Sequence, residues 1–158
     1  MTPWLGIISD THGLLRPEAI QALTGCELII HAGDVGKPEI LTQLAEIAPV
    51  HAVRGNVDRG ELGATLPEFD VVKWNGCFIY VRHIIEELDI DPVAGGFDAV
   101  IYGHSHKPSV TEKAGVLYLN PGSAGPRRFS LPITVARITL EDGSIHAELV
   151  SLETDLES

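Results

Sequence analysis

The first third of the chain alternates short apolar runs with amphipathic segments. Residues 4–9, 28–31 and 50–54 are three such runs, and each ends at a polar turn, which is typical of buried strands. Residues 18–23, which follow Pro17, and residues 38–48 have the pattern of helices that pack one face on a core. This alternation predicts parallel β-α-β units with right-handed crossovers.

The rest of the chain is dominated by hairpin patterns. Residues 69–74 and 77–83 flank Asn75-Gly76, which is a strong signal for a two-residue turn. Two more hairpins are predicted, from residues 109–113 and 116–119 and from residues 133–140 and 145–151. We also expect a short helix at residues 91–94, a buried strand at residues 99–102 and a solvated acidic tail at residues 153–157. The fold class is therefore α/β, with residues 1–158 as a single domain.

Composition narrows the possible functions. Eleven basic residues against 22 acidic ones give a net charge of −11, the wrong sign for a broad nucleic-acid-binding face. The N-terminus does not resemble a signal peptide, and no apolar run approaches the roughly eighteen residues of a membrane span. Cys26 and Cys77 lack the spacing of a metal site or a disulfide framework, so both are interpreted as small apolar residues. A cytoplasmic location is the simplest expectation.

Potential metal ligands follow five of the apolar runs. They are Asp10 and His12, then Asp34, Asn56, His83, and finally His104 and His106. Each has a plain structural alternative, such as a cap, an Asx turn or a packed histidine. Together they are hard to explain in that way, because side chains at the carboxyl ends of strands converge on one crevice and would be costly to bury without a cation. Asp10 and His12 form one pair of alternate residues, and His104 and His106 form another. If the backbone stays extended past the strand end, we expect both members of each pair to reach one centre.

Carboxylate, amide and imidazole groups without thiolate suit Mn²⁺, Fe²⁺, Zn²⁺, Ni²⁺ or Co²⁺, and the sequence does not choose among them. Seven ligands exceed the needs of one tetrahedral ion. They would supply two ions that share a carboxylate, which is the usual arrangement for hydrolysis of phosphate esters. The predicted cofactors are therefore two divalent metal ions, of which Mn²⁺ is the first choice.

The order of these motifs resembles the calcineurin-like metallophosphoesterases. Four segments carry the resemblance: residues 9–13 (Ser-Asp-Thr-His-Gly), 31–34 (His-Ala-Gly-Asp), 102–108 (Tyr-Gly-His-Ser-His-Lys-Pro) and 120–123 (Asn-Pro-Gly-Ser). They are most similar to the small phosphodiesterase branch of the YfcE type. The resemblance implies a four-layer α-β-β-α sandwich of two mixed sheets with helices outside.

The resemblance also implies roles for the ligands. Asp10, His12 and His106 would hold one metal, Asn56, His83 and His104 the other, and Asp34 would bridge them. A water or hydroxide between the ions would be the nucleophile, with Asp34, Asn56 and His104 as the residues closest to catalysis. The implied activity is hydrolysis of a phosphate diester, with a small molecule as substrate.

Two places depart from the family pattern, at Val57 and after His83, and the role of the acid after Val57 needs its own interpretation. Val57 stands where many members have a histidine that assists the leaving group, which favours substrates with good leaving groups. Ile84 and Ile85 follow His83 in place of a Gly-His pair, and they either pack in the core or narrow the substrate entrance. Asp58 matches the family, and we interpret it as orienting a neighbouring ligand or turn rather than binding metal.

Candidate substrate contacts lie late in the chain. Arg127 follows the 120–123 loop, and its guanidinium would hold a phosphate oxygen or simply add surface charge. Gly122 and Ser123 would offer backbone N–H groups to the substrate or only form a tight turn. His31 and His51 are interpreted as packed residues or as supports for the ligands.

Other functions compete with the phosphodiesterase. The main alternative is a metal-poor protein-interaction scaffold of the same fold, like the retromer subunit that resembles this family. Nucleic-acid processing is disfavoured by the acidic charge, and no membrane partner is expected. Whether the chain forms a homo-oligomer is left open by the composition.

Overall fold

The computed structural model describes residues 3–128 and 130–152. The predicted acidic tail lies outside the described residues. The described residues form ten strands: β1 (Trp4–Ile8), β2 (Leu28–His31), β3 (Val50–Ala52), β4 (Phe69–Trp74), β5 (Cys77–Arg82), β6 (Ala99–Ile101), β7 (Ser109–Lys113), β8 (Val116–Asn120), β9 (Thr134–Glu141) and β10 (Ser144–Ser151). The helices are α1 (Pro17–Leu23), α2 (Pro38–Ala45) and α3 (Gly60–Thr65), with a 3₁₀ turn at Ile85–Glu87.

The strands form two five-stranded mixed sheets. The first has the order β10-β9-β1-β2-β3, in which β1, β2 and β3 are parallel and β9 is antiparallel to both β1 and β10. The second has the order β4-β5-β6-β8-β7, with β5, β6 and β8 parallel and both edge strands antiparallel. The expected pair of mixed sheets is therefore confirmed.

The main core lies between the two sheets. Leu5, Ile7 and Ile30 of the first sheet and Ile79 and Ile101 of the second are completely buried in it. A second cluster lies between the first sheet and helices α1 and α2. The outer face of the second sheet is covered by the 3₁₀ turn and the irregular segment that follows it rather than by an α-helix. Among the described residues, α-helices thus cover the outer face of the first sheet but not that of the second.

Two local expectations were wrong. Residues 91–94 form part of a turn instead of a helix, because Gly95 and Gly96 follow directly and Gly96 has a φ of +76°, outside the helical region. Helix α3 was not predicted, since it begins with glycine and has Leu62 as its main apolar contact with the core. Cys26 and Cys77 are buried free thiols, as expected.

None of the helices in the described ranges is long and apolar enough to cross a membrane.

Neighbouring residues on β5 give a test of the core. Ile79 is fully buried between the sheets, whereas Phe78 points the other way and is 41% exposed. We expect Ile79→Ala to lower the free energy of unfolding by about 2–5 kcal/mol, through lost burial and a residual cavity. Phe78→Ala is the matched control and should cost clearly less. Denaturant titration of the metal-free proteins, followed by circular dichroism, measures both, and equal losses would contradict the assigned core.

Candidate metal centre

All seven candidate ligands lie where the carboxyl ends of the two sheets meet. The first sheet contributes Asp10 and His12 after β1, Asp34 after β2 and Asn56 after β3. The second sheet contributes His83 after β5, and His104 and His106 after β6. The contacts described next bring these residues into one cluster, as the strand-end pattern predicted.

One group of ligands consists of Asp10, His12 and His106. The Nε2 atoms of His12 and His106 are 3.2 Å apart. Asp10 Oδ1 lies 3.4 Å from His106 Nε2 and 3.7 Å from His12 Nε2. Three potential ligand atoms therefore face one point.

The other group contains Asp34, His83 and His104, with Asn56 beside them. His83 Nε2 is 3.1 Å from Asp34 Oδ2 and 3.0 Å from Asn56 Oδ1. Asn56 Oδ1 is also 3.0 Å from His104 Nδ1. The amide oxygen of Asn56 thus lies between two imidazoles, one from each of two neighbouring loops.

Asp34 lies between the two groups. Its Oδ2 atom is 3.1 Å from His83 in one group and 3.7 Å from His12 in the other. Its Oδ1 atom accepts a hydrogen bond of 2.9 Å from the N–H of Val57, which fixes the plane of the carboxylate. Asp34 therefore contacts imidazoles of both groups, and Asp10 Oδ1 reaches His83 Nε2 at a longer distance of 3.8 Å.

The loop backbone at the ligands differs from the expectation of an extended chain, which was wrong. Five of the seven ligand residues have positive φ angles: Asp10 (55°), His12 (47°), Asp34 (58°), His104 (72°) and His106 (64°). Such left-handed conformations are unfavourable for residues with a side chain and are held by surrounding contacts. The chain therefore turns at these five residues instead of running on from the strand.

Close packing of the loops explains two glycines next to ligands. A Cβ atom on Gly33, which precedes Asp34, would meet the ring of His83. A Cβ atom on Gly55, which precedes Asn56, would meet the carboxylate and the backbone nitrogen of Asp34. Glycine at position 33 lets loops of the two sheets approach closely, and glycine at position 55 does the same for two loops of the first sheet.

Burial and imidazole contacts act in opposite directions on the carboxylates. Burial alone would raise the pKa of Asp10, but the nearby imidazoles of His106 and His12 hold that pKa well below its usual range. Burial likewise opposes ionisation of Asp34, and the contacts with His83 and the Val57 N–H nonetheless lower its pKa. Burial alone would lower the pKa of His83, but the hydrogen bond with Asp34, the charges of Asp10 and Asp34 and the contact with the Ala32 carbonyl together raise it. Both carboxylates are therefore anions at neutral pH.

The residues fit a cation. Asp10 Oδ1 is buried and has no hydrogen-bond partner within the described ranges, although Asp10 is completely inaccessible to solvent. His83 Nδ1 lies 2.7 Å from the carbonyl oxygen of Ala32, and an N–H donated there leaves the lone pair of Nε2 facing the oxygens of Asp34 and Asn56. A nitrogen lone pair opposite two oxygen acceptors is unfavourable unless a proton or a cation lies between them.

Asp58 supports the ligand loops without facing the cluster of imidazoles. Its carboxylate accepts hydrogen bonds from the N–H groups of Val35 (3.1 Å), Gly36 (3.0 Å) and Gly55 (3.0 Å). These three residues follow or precede Asp34 and Asn56, so one side chain ties two ligand loops together. The structure agrees with the interpretation of Asp58 as an orienting residue.

His31 supports the same region from within the sheet. Its Nδ1 accepts the N–H of Gly33, so Nε2 carries the proton and donates to Thr11 Oγ1, 3.0 Å away. Complete burial lowers the pKa of His31 to about 4, which keeps the ring neutral. By contrast, His51 is half-exposed and pairs with Asp70 at 3.2 Å, away from the ligands.

Two supporting residues were not singled out from the sequence. Ser9 Oγ donates to Asp10 Oδ2 over 2.7 Å, and the side-chain amide of Asn120 donates to the carbonyl oxygen of Gly103, next to His104. Both are completely buried polar residues beside a ligand loop. Their position in the conspicuous 9–13 and 120–123 segments is the signal that would have found them.

Comparisons with known proteins agree with this geometry. The profile of the calcineurin-like phosphoesterase superfamily domain matches residues 4–143. The chain belongs to this superfamily. A probable metallophosphoesterase of Methanothermobacter thermautotrophicus is 35% identical over 158 aligned positions, which cover 92% of this chain and 91% of that protein.

Solved structures of the superfamily fold are also similar. An archaeal phosphodiesterase has a TM-score of 0.76 at 25% identity, over 93% of this chain and 99% of its own. Vps29 of Entamoeba histolytica in complex with Zn²⁺ has a TM-score of 0.70 at 25% identity, over 95% of this chain and 99% of its own. As a metallophosphoesterase by family, the protein is expected to use divalent metal.

The predicted substrate contacts occupy different surroundings. Gly122 is buried and donates its N–H to Asn120 Oδ1. Ser123 Oγ donates to the carbonyl oxygen of Asp10 and accepts the N–H of Gly125. Ser123 therefore connects the Asp10 loop to the segment after β8. Arg127 lies exposed on the segment that follows. A role of these three residues in substrate binding stays a prediction.

The role of Asp58 gives a test in this superfamily member. We expect Asp58→Ala to lower the affinity for Mn²⁺ by about 10- to 100-fold, because three backbone N–H groups lose their acceptor and the ligand loops lose their positioning. Calorimetric titration of the metal-free protein measures the change. Asp70→Ala, at a carboxylate paired with His51 on the surface, is the control. Equal affinities for all three proteins would contradict the positioning role.

Proposed function

We propose that the protein is a dinuclear metal-dependent phosphodiesterase that hydrolyses a small-molecule phosphate diester. The observation that carries the proposal is the pair of ligand groups on either side of Asp34. Asp10, His12 and His106 would hold one ion, and Asn56, His83 and His104 the other, with Asp34 contacting both. Imidazole and oxygen ligands without thiolate support Mn²⁺ as the working metal, ahead of Fe²⁺, Zn²⁺, Ni²⁺ and Co²⁺.

Two divalent ions at such a site supply Lewis-acid stabilisation of phosphoryl oxygens and a more acidic water molecule. The chain supplies the geometry: Asp34, Asn56 and His104 fix the inner surface on which the phosphate would lie. In the overall reaction a water oxygen bonds to phosphorus, one P–O bond to a limb of the diester breaks, and a monoester and an alcohol are released. No nucleophilic side chain is needed.

Val57 supports diesters with good leaving groups. Its backbone N–H donates a hydrogen bond to Asp34 Oδ1. Its side chain is apolar and 42% exposed at the rim of the centre. A valine cannot protonate a departing alkoxide, so the leaving group must depart as a stable anion. Aryl diesters meet this requirement and alkyl monoesters do not.

The proposal is tested with bis(p-nitrophenyl) phosphate and added Mn²⁺. We expect the wild-type protein to release p-nitrophenolate, and Asp34→Asn or His104→Ala to reduce kcat at least 100-fold, since each removes a ligand of the pair. His146→Ala is the control, because His146 is exposed on β10 and pairs only with Glu141 in the described structure. Metal content measured on each protein separates loss of metal from loss of turnover. Full activity of Asp34→Asn would end the proposal.

Substrate preference tests the contribution of Val57 separately. The kcat/KM for an aryl diester should exceed that for an alkyl phosphate monoester by at least 10-fold, because the rim offers no proton donor at this position. Parallel phosphate-release and p-nitrophenolate assays at equal metal loading measure the ratio. A faster reaction with the alkyl monoester would show that another group protonates the leaving oxygen.

The alternative is a metal-poor protein-interaction scaffold. The similarity to Vps29 supports it, and so do Phe69, Val71 and Phe78, which are each more than 40% exposed on strands β4 and β5. The set of seven donor groups favours the enzyme. A scaffold has no need of two buried carboxylates that face four imidazoles and one side-chain amide. A wild-type protein that binds no metal and hydrolyses no diester under several metals would favour the scaffold.

A further inference from the structure

A cavity of about 330 Å³ opens beside the metal centre on the side of His104. Its walls include Ile85, Tyr102, Lys107 and Pro108. The volume lies at the lower end of the range for small-molecule sites and is sufficient for a ring-sized group. A second, smaller cavity of about 170 Å³ lies on the side of Asn56.

The segment that follows His83 separates the two cavities. His83, Ile84 and Glu87 line the smaller one, whereas Ile85 and Glu86 line the larger one. Ile85 also packs against the buried cluster on the outer face of the second sheet, which holds this wall in place. A diester whose phosphorus lies at the metal centre has two limbs, and the wall provides a separate cavity for each.

The two guanidinium groups that line the smaller cavity have carboxylate partners. Arg54 donates to the carbonyl oxygen of Gly63 and pairs with Glu68 at 3.2 Å, and Arg82 lies 3.6 Å from Asp89. Arg54 would have to give up these partners to bind a ligand, and Arg82 would have to leave Asp89, although its Nε atom is buried without a hydrogen-bond partner in the described structure. The smaller cavity therefore suits the leaving limb, which needs no specific recognition.

The larger cavity presents a cation and an anion that are not paired. Within residues 3–128 and 130–152, neither the ammonium group of Lys107 nor the carboxylate of Glu86 forms an ion pair, although both residues line the cavity. One hydroxyl group can donate to Glu86 and accept from Lys107. Alternatively, two neighbouring hydroxyl groups can each bond to one of these residues. The faces of Tyr102 and Ile85 offer an apolar wall for a ring.

We propose that this larger cavity binds a sugar ring carried by the limb that stays on phosphorus. The inference rests on the proposed phosphodiesterase function and specifies its substrate class. The ring packs against Tyr102 and Ile85, and its hydroxyl groups bond to Lys107 and Glu86. A bare sugar and a nucleoside share this chemistry, and the test below distinguishes them.

The test uses diesters that all release p-nitrophenolate and differ only in the other limb. The limbs are methyl, deoxyribosyl (through its 5-oxygen) and thymidyl (through its 5′-oxygen). The sugar preference is defined as kcat/KM for the deoxyribosyl diester divided by kcat/KM for the methyl diester. We expect a preference of at least about 10-fold in the wild-type protein, with the thymidyl diester similar to the deoxyribosyl one.

Substitutions then assign the preference to the cavity. Lys107→Met and Glu86→Gln should each reduce the sugar preference about 10-fold, mainly through KM, because each removes a charged hydrogen-bonding group from the ring. Both side chains are exposed, so the variants should keep the wild-type melting temperature. Lys113→Met and Glu112→Gln, on strand β7 and outside this cavity, are the matched controls and should keep the wild-type preference.

Each outcome is decisive. Equal rates for the methyl and deoxyribosyl diesters, or a preference unchanged by both Lys107→Met and Glu86→Gln, would overturn the sugar site while leaving the phosphodiesterase intact. A preference for the thymidyl diester alone would show recognition of the base and would overturn the assignment to the sugar. If the wild-type protein hydrolyses none of the three with any metal, the proposed function fails and this inference fails with it.

Discussion

The interaction on which the rest of the structure depends is the approach of two buried carboxylates to imidazoles from the opposite sheet. Asp10 and Asp34 are 0% and 2% exposed, yet each has its pKa lowered by contact with histidine. Desolvation of two neighbouring anions costs several kcal/mol, and the imidazole contacts offset this only in part, since Asp10 Oδ1 has no hydrogen-bond partner in the described structure. Binding of divalent cations would remove the remaining cost, so the stability of these loops and metal binding are linked.

The same constraint explains why the surrounding backbone is irregular. Ligands from two sheets reach one centre only if the loops turn sharply, and Asp34 and His104 accordingly have left-handed φ angles. Strain of this kind persists where other contacts hold the loops. Here Asp58 ties the second and third loops of the first sheet together, and Asn120 holds the His104 loop of the second sheet. Rigid support allows the ligand atoms to keep their positions before any ion arrives.

The sequence was sufficient for the parts of the structure that depend on local pattern. Apolar runs predicted the strands, and the residue type after each run predicted the ligands, because strand ends in such folds share one edge. It was insufficient where distant parts of the chain decide the outcome. The turned backbone at Asp10 depends on packing against Gly103, nearly a hundred positions later, and helix α3 depends on the tertiary contact of Leu62. No local pattern encodes either contact.

The seven candidate ligands form the interior of the centre, and the residues that line the cavities around them form its rim. These two sets of residues bear on different properties of the site. The interior holds two groups of side chains that could hold metal ions, and the proposed chemistry depends on them. At the rim, two isoleucines follow His83, one on each side of the wall between the two cavities, and Lys107 follows the second histidine of the last pair. The side chains of these rim residues are not among the seven candidate ligands, so substituting them removes no ligand. Reaction type is therefore inferred from the interior and substrate choice from the rim, which is why a family assignment alone leaves the substrate undetermined.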